Sequence, residues 1–363
     1  MTVRVLVGCY RAAEDPGIVS VDVDPASGAM TVAGLHSGNA DPSFLARSSD
    51  GRLLYAVNEL VDRDGLIAVG RNDVPDAGAR RLSTGGGAPC HIGIDDRHGL
   101  LAVANYQGGS VAVFALSPDG SPQESARLLH PDADWAAGGA HATATSATTA
   151  AGTVSDRQNA PHPHAVLFDP VDAVMMIPDL GCDRIWRYRI EGRGPAAACH
   201  PLPPVFLPPG TGPRHAAFST DGRFLYLVGE LASAVMVLER GGKDDWWLKD
   251  SLSTLDGTAV PGNTAAAISL ATEGRHLYVS NRGDDSIVLF GTSPSGRLRP
   301  LQRIDSGGRT PRHLAMSPDG LLLMAANQDG GGLRAFSRDP HHGHLTAIGR
   351  PLDLPGAACI LFL

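Results

Sequence analysis

The fold is decided by the stretch GPRHAAFSTDGRFLYLVGE, residues 212–230, in which two apolar runs flank the turn sequence Ser-Thr-Asp-Gly. A short β-type run, a turn containing Asp-Gly and a second run rich in Leu, Val and Tyr are typical of a β-hairpin. The ends of the stretch carry Arg214, His215 and Glu230. Because the strands of a hairpin run in opposite directions, its first and last residues should lie at the same end.

Related stretches recur along the chain with a period near fifty residues. They begin near positions 41, 88, 161, 212, 264 and 310, and the turn glycines Gly51 and Gly99 lie 48 positions apart, whereas Gly274 and Gly320 lie 46 apart. Each unit contains several short strands, and a four-stranded unit of this kind cannot bury both of its faces without neighbours. The repeat therefore predicts the blades of a β-propeller.

The two ends of the chain supply a seventh unit. VRVLVGCY, GIVSVDVDP and MTVAGLHS read as strands at the start, and AACILFL at the end is an apolar strand with no partners of its own. Pairing the last strand with the first ones would close the ring and cover the exposed sheet edges. We expect an all-β fold, a seven-bladed β-propeller closed by its N- and C-terminal strands, as a single domain over residues 1–363. A pair of separate domains is the alternative, but no linker interrupts the period.

One interval is longer because an Ala/Thr/Gly-rich insertion lies at about 136–160. Its composition predicts a surface loop between blades. The sequence leaves open whether this loop folds over a functional site.

The composition of the chain limits the classes of binding partner that we expect. The formal charge of −8 and the absence of Lys or Arg runs argue against nucleic acid, and no run of 18 apolar residues is present that could span a membrane. The five cysteines, at 9, 90, 182, 199 and 359, show no metal-binding spacing and fit reduced thiols in a cytoplasm. We expect no metal and no cofactor, and the sequence is silent on the oligomeric state.

Polar side chains fall at one end of the predicted hairpins, where a propeller would have one mouth of its channel. A concave surface with a few converging polar groups is the default position of a functional site. Some of these polar side chains could instead have a structural role. His215 and His313 could bridge blades, Asn105 and Asn327 suit turns, and Arg282 could pair with an aspartate of its own loop. The residues concerned are His91, Asn105, His162, His164, Arg214, His215, Glu230, Arg282, Arg312, His313 and Asn327.

These motifs resemble the seven-bladed lactonase family, which includes the propeller-type 6-phosphogluconolactonases and the 3-carboxymuconate lactonizing enzymes. The resemblance covers nearly the whole chain and is carried by PCHIGID, VANYQGGSVAVF, RQNAPHPHAVLFDP, GPRHAAFSTDGRFLYLVGEL, YVSNRGDDSIVLF and PRHLAMSPDG. It implies a catalytic set of one His, two Arg and one Glu, which match His164, Arg214, Arg282 and Glu230. Two positions depart from the family pattern: Gly229 stands where Asn is common, and Ala267 stands where an acidic residue is common.

The chemistry of these side chains suits an anionic substrate. Two arginines would clamp a phosphate or carboxylate and stabilise an oxyanion, and His164 or Glu230 would act as the general base for water. No GxSxG motif suggests a serine nucleophile. We also expect substrate contacts from His91, Asn105, Arg157, His215, Arg312 and His313.

The expected function is cofactor-free hydrolysis of an anionic sugar lactone, foremost 6-phosphogluconolactone. The first alternative is a lactonizing or cycloisomerase-type enzyme that acts on an unsaturated carboxylate. The second is a propeller that only binds partners. Consumption of water separates hydrolysis from cyclisation, and substitutions of Arg214 and Glu230 that leave every cellular phenotype unchanged would favour the binding scaffold.

Overall fold

The computed structural model describes residues 2–61, 64–71, 79–137, 156–242, 245–257 and 260–363. Within these ranges the chain forms 28 β-strands, the helix α1 (Pro131–Ala137) and two short 3₁₀ turns at Asp156–Gln158 and Gly194–Ala196. The strands assemble into seven four-stranded sheets. The all-β fold and the seven predicted blades are thus confirmed.

The first fifteen strands are β1 (Val3–Cys9), β2 (Ile18–Val23), β3 (Met30–His36), β4 (Leu45–Arg47), β5 (Leu53–Asn58), β6 (Leu66–Arg71), β7 (Arg80–Ser83), β8 (Pro89–Asp95), β9 (Leu100–Asn105), β10 (Ser110–Ala115), β11 (Arg127–Leu129), β12 (Leu167–Phe168), β13 (Val174–Asp179), β14 (Arg184–Glu191) and β15 (Ala198–Phe206). The remaining strands are β16 (Pro213–Phe218), β17 (Phe224–Gly229), β18 (Ala234–Arg240), β19 (Trp246–Ser253), β20 (Thr264–Leu270), β21 (His276–Arg282), β22 (Ser286–Thr292), β23 (Leu298–Asp305), β24 (Arg309–Met316), β25 (Leu322–Gly330), β26 (Gly332–Arg338), β27 (Leu345–Leu352) and β28 (Ala357–Phe362).

The residues divide into two compact units. The first unit comprises Met1–Leu45 with His215–Leu363, and the second comprises Ala46–Arg214. The first unit contains the sheets β28-β1-β2-β3, β16-β17-β18-β19, β20-β21-β22-β23 and β24-β25-β26-β27; the second contains β4-β5-β6-β7, β8-β9-β10-β11 and β12-β13-β14-β15. The single domain over 1–363 stays a prediction.

The first and last strands pair as predicted. In the first unit β28 runs antiparallel to β1, with Val5 opposite Phe362 and Val7 opposite Ile360. The apolar run AACILFL therefore finds its hydrogen-bond partners on the first sheet, which leaves neither strand with an open edge on that side.

Apolar side chains pack between successive sheets within each unit. In the first unit Val7 of β1 belongs to a buried cluster with Met324 and Ala335 of β25 and β26. In the second unit Ala102 of β9 shares a cluster with Ile177 of β13. Burying an aliphatic side chain of Val, Leu or Ile size contributes about 1.5–3 kcal/mol. Each sheet thus depends on its neighbour, which is the physical reason for the repeat.

A serine side chain closes the Asp-Gly turns, and the repeat pattern alone did not predict this role. In the stretch 219–224 the Ser219 hydroxyl donates to Asp221 at 2.6 Å and accepts from the Phe224 backbone N–H at 2.9 Å. Gly222 follows with φ 69°, a conformation that favours glycine. The same set of bonds recurs at Ser48–Asp50 and Ser317–Asp319.

Most of the predicted insertion at 136–160 lies outside the described residues, and so does its proposed role as a loop over the site. Of the helices that are described, none is both long and apolar enough to cross a membrane.

Candidate functional site

One position of the repeat, the residue that follows the buried end of the second strand, carries several chemically active side chains. Tyr106 follows β9, Glu230 follows β17, and Arg282 ends β21 directly after the buried Asn281. Since the hairpins are equivalent, these three side chains occupy corresponding places in their own sheets. Tyr106, Glu230 and Arg282 therefore share one position of the repeat.

Glu230 and Arg282 form an ion pair in the first unit. Arg282 Nη2 lies 2.9 Å from Glu230 Oε1, with the glutamate side chain fully buried and the arginine side chain 14% exposed. An opposite charge at this distance offsets part of the cost of burying the carboxylate. Asp284, one of the two aspartates that the sequence offered as partners of Arg282, pairs instead with Arg303.

Arg214 is the second residue of β16 and is buried in the second unit. The chain that leads to it is held by Asp183, which accepts hydrogen bonds from the backbone N–H groups of Gly210 and Gly212, both at 2.7 Å. Asp183 itself has φ 50°, a left-handed conformation that Asp tolerates better than most residues. The Asp183 carboxylate therefore fixes the backbone two residues before Arg214.

The same device precedes the second Pro-Arg-His segment. In the first unit Asp285, also at φ 50°, accepts from the Thr310 backbone N–H at 2.8 Å, two residues before Arg312. The Arg312 guanidinium lies 5.0 Å from the centroid of the Tyr10 ring. A cation over an aromatic face is favoured electrostatically.

Tyr106 is the centre of a second group of predicted residues. We call Tyr106, Arg157, His162 and His164, all in the second unit, the Tyr106 cluster. The phenol oxygen accepts from Arg157 Nε at 3.2 Å and from Nη2 at 2.9 Å. The ring stacks on the His162 imidazole with centroids 4.4 Å apart and meets the His164 imidazole edge-on at 5.3 Å. The structure thus brings Arg157 and His164 to one aromatic ring.

Asp179 anchors the segment that carries these histidines. Its carboxylate accepts from the His162 backbone N–H at 2.8 Å, from the Gly181 N–H at 2.9 Å and from Trp186 Nε1 at 2.8 Å. Asp179 is wholly buried, and burial raises its pKa against the opposing effect of these hydrogen bonds. The carboxylate replaces the asparagine found at the equivalent strand ends.

His164 also contacts a thiol. Its Nδ1 lies 3.9 Å from Cys90 Sγ, and the imidazole is buried. The Nδ1 edge of the imidazole therefore faces the cysteine.

Two predicted substrate-binding histidines contact backbone amides of neighbouring strands. His91 Nδ1 accepts from the Val166 N–H, and His313 Nδ1 accepts from the Ile360 N–H, both at 3.3 Å. Both rings thus link successive sheets of their own unit, which for His313 agrees with the structural interpretation given above. Their contact with substrate stays a prediction.

Phe44 separates His215 from His313 in the first unit. Its ring lies edge-on to both imidazoles, with centroids 6.2 Å and 6.0 Å away. The two Pro-Arg-His segments therefore present their histidines to a shared aromatic spacer.

Asn105 serves the turn that follows its strand. Its buried Nδ2 donates to the Thr84 carbonyl and to Ser110 Oγ, both at 3.1 Å. Asn281 makes the corresponding bond to the Thr254 carbonyl at 2.9 Å. These asparagines connect neighbouring sheets, and the predicted substrate contact of Asn105 stays a prediction.

Sequence reasoning missed Tyr106 and Asp179. The signal was available in the repeat, because Tyr106 aligns with Glu230 and Asp179 aligns with Asn105 when the second strands are superposed. Of the two departures from the family pattern, Gly229 ends β17 without a side chain, and Ala267 is buried with its N–H bonded to Ser280 Oγ at 3.0 Å.

A cavity of about 640 Å³ in the second unit is lined by other residues. Its lining includes the acidic side chains Asp50, Asp96 and Asp119 but only one arginine, Arg193. This charge suits no anionic substrate, so the cavity is not a candidate for the predicted site. Among the residues described, no group of three or more His, Cys, Asp or Glu side chains could hold a metal ion.

Residues 4–362 match the family described as Lactonase, 7-bladed beta-propeller. Together with the seven four-stranded sheets, this match shows that the chain belongs to the seven-bladed β-propeller lactonases. The chain is accordingly a lactone hydrolase.

Known relatives cover almost the whole chain. It is 28% identical to the 6-phosphogluconolactonase of Bacillus subtilis, over 98% of this chain and 97% of that protein. Among solved structures, the periplasmic gluconolactonase of Pseudomonas aeruginosa is 29% identical with a TM-score of 0.85, covering 100% of this chain and 99% of the other. A protein from Lactobacillus plantarum is 26% identical with a TM-score of 0.85, and both chains are covered in full.

Proposed function

We propose that the protein hydrolyses 6-phosphogluconolactone to 6-phosphogluconate by general acid–base chemistry. The support is its membership of the lactonase family, together with a relative named 6-phosphogluconolactonase that aligns over nearly its full length. The single structural observation that carries the mechanism is the buried Glu230–Arg282 ion pair.

The ion pair favours one of the two candidate bases. The Glu230 carboxylate is already engaged with a guanidinium, and protonation of the carboxylate would break this ion pair. Glu230 is better suited to hold Arg282 in place than to take a proton from water. Imidazole is the commonest general base near neutral pH, so we assign this role to His164 through Nε2.

The proposed reaction begins when His164 takes a proton from water while the water oxygen bonds to the lactone carbonyl carbon. The carbonyl oxygen becomes an oxyanion, and Arg214, in the same unit as His164, is proposed as the cation that stabilises it. When the carbonyl re-forms, the bond to the ring oxygen breaks, and His164 returns the proton to this leaving oxygen.

The function is tested by following proton release from freshly made 6-phosphogluconolactone in a weakly buffered solution. We expect the purified protein at micromolar concentration to exceed the spontaneous rate by well over about a hundredfold, the contribution of one positioned base. A rate equal to that of buffer would exclude the proposed substrate. Conversion of 3-carboxymuconate without any lactone opening would favour the cyclising alternative instead.

A further inference from the structure

The residue before the third strand of a sheet has the same backbone conformation at three turns of the repeat, but not the same side chain. Asp183 precedes β14, Ser233 precedes β18 and Asp285 precedes β22, with φ angles of 50°, 48° and 50°. A left-handed conformation of this kind is uncommon for residues other than glycine. The three turns are thus built alike, and the side chain distinguishes them.

The backbone of this position also has a constant partner. Its carbonyl accepts a hydrogen bond from the N–H group of the residue that follows the outer strand of the same sheet. The donors are Leu207 for Asp183 at 3.1 Å, Thr254 for Ser233 at 2.9 Å and Ser306 for Asp285 at 2.9 Å. Because serine and aspartate make the same backbone bond, the turn itself does not require a carboxylate.

The Asp183 side chain binds the loop that leads into β16. Its Oδ2 accepts from the Gly210 N–H and its Oδ1 accepts from the Gly212 N–H, both at 2.7 Å. Arg214, the second residue of β16, follows two positions after Gly212 and is buried. Two charge-assisted bonds, one at each carboxylate oxygen, fix both the position and the direction of the main chain from which the arginine side chain extends.

The first unit contains one further carboxylate and one serine at this position. Asp285 accepts from the Thr310 N–H at 2.8 Å, and Arg312 of β24 follows two residues later. Ser233 instead exchanges two hydrogen bonds with Asn263, ahead of β20, whose first four residues are Thr-Ala-Ala-Ala. At these three turns, a carboxylate stands where an arginine follows in the next strand, and a hydroxyl stands where small side chains follow.

We propose that Asp183 is a positioning residue for lactone hydrolysis and that its carboxylate directs Arg214 toward the oxyanion through the main chain. The inference rests on the proposed function, in which Arg214 stabilises the oxyanion, and adds to it the group that sets where this cation lies. A donor that is aimed in advance at the place where charge develops needs no reorganisation during the reaction. In this role Asp183 acts on the main chain and not on the reacting atoms.

The test measures kcat and KM for 6-phosphogluconolactone with wild type, Asp183→Asn, Arg214→Gln and the double variant. Asparagine tolerates the left-handed backbone and keeps one acceptor oxygen, but its NH₂ group would face a backbone donor. We expect Asp183→Asn to lower kcat about 10- to 100-fold with KM within about threefold, because a displacement of roughly 1 Å has an effect of this size. Arg214→Gln should lower kcat about 10²- to 10³-fold, as loss of one oxyanion donor does.

The double variant separates positioning from a general structural role. If Asp183 acts through Arg214, adding Asp183→Asn to Arg214→Gln should change kcat by less than about twofold. A carboxylate that only supports the fold would instead reduce activity by the same factor in both backgrounds. Asp119→Asn is the matched control, because Asp119 also holds a turn of the second unit, accepting from the Ser121 N–H at 3.0 Å, and its substitution should alter neither kcat nor KM.

Folding of each variant is checked by urea denaturation, so that loss of kcat is not confused with loss of native protein. Asp183→Ser is the second variant, because serine occupies the equivalent position at Ser233 with the same backbone conformation. It should show a loss of kcat at least as large as that of Asp183→Asn, since neither Gly210 nor Gly212 keeps a carboxylate oxygen as its acceptor.

Additive losses in the double variant, or wild-type kcat in the folded Asp183→Asn protein, would overturn the inference and leave the proposed function in place. If the wild type opens gluconolactone but not 6-phosphogluconolactone, the proposed substrate fails, and the same variants measured on gluconolactone test the inference by itself. A wild type that opens neither lactone would refute both.

Discussion

Glu230 and Tyr106 occupy the same place in the repeat, yet each holds an arginine in a different way. In the first unit the buried Glu230 carboxylate pairs with Arg282 at 2.9 Å. In the second unit the Tyr106 phenol accepts two N–H groups of Arg157. A carboxylate supplies a counter-charge to the cation that it holds, whereas a phenol oxygen supplies a hydrogen-bond acceptor.

The difference indicates how one scaffold position can serve two purposes. An arginine paired with a buried carboxylate is fixed in place and donates hydrogen bonds, as stabilisation of a transient oxyanion requires. An arginine held by a phenol has its planar group oriented by the hydrogen bonds that it donates. The two regions therefore should respond differently to substitution.

The largest expected effect concerns the proposed base beside Tyr106. His164→Asn should lower kcat about 10²- to 10⁴-fold while leaving the fold intact, because one general base contributes this much. Initial rates of lactone opening measure it, with His200→Asn, an exposed histidine of the same unit, as the matched control. Retention of more than about a third of the activity would remove His164 from the base role.

The second prediction concerns the Glu230–Arg282 ion pair of the first unit. Glu230→Gln leaves a buried guanidinium without its carboxylate and should lower the free energy of unfolding by about 3–5 kcal/mol. Urea denaturation measures this change. Glu239→Gln, which breaks the more exposed pair with Lys249, should cost at most about 1 kcal/mol.

The same variant discriminates between the two candidate bases. If Glu230 only holds Arg282, the folded Glu230→Gln protein should keep more activity than His164→Asn, because the glutamine oxygen can still accept a hydrogen bond from the guanidinium. A loss of kcat as large as that of His164→Asn would instead make Glu230 the base.

A third, smaller effect should follow when the anchor of the Tyr106 cluster is changed. Asp179→Asn replaces one acceptor oxygen by an NH₂ group that faces donors, which should cost about 1–3 kcal/mol of unfolding free energy. The fluorescence of Trp186, whose Nε1 donates to Asp179, offers a local readout during urea denaturation. Unchanged stability would mean that the segment is held by other contacts.

The smallest effect concerns thiol reactivity. Burial raises the pKa of Cys9 to about 11 and that of Cys359 to about 12, both in the first unit. Because thiolate is the reactive form and forms only as the pH approaches these values, iodoacetamide at pH 8 should leave both residues unmodified in the native protein. Peptide mass analysis after urea unfolding provides the control, and native labelling at pH 8 would contradict the prediction.

Much of the fold could be predicted from the sequence because its determinants are local and repeated. Ser-x-Asp-Gly closes hairpins through bonds within six residues, as Ser219 and Asp221 do, and alternating apolar strands need a neighbouring sheet on each face. The pairing of β1 with β28 followed from the same logic, since an unpaired apolar strand is unstable at a sheet edge. Glu230 and Arg282 were identified as site residues from motifs, but the sequence did not predict that the two side chains contact each other.

GPRHAAFSTDGRFLYLVGE by itself determined a hairpin with Arg214 near the start of its first strand and Glu230 after its second strand, because turn chemistry and strand alternation act over a few neighbouring residues. Only the tertiary structure decided the partners of the polar groups: Arg282 for Glu230, Asp183 for the loop before Arg214, and Tyr106 for Arg157. These partners lie about 30 to 50 positions apart in the chain, and a local pattern holds no information on which side chains such distant strands bring within hydrogen-bond distance.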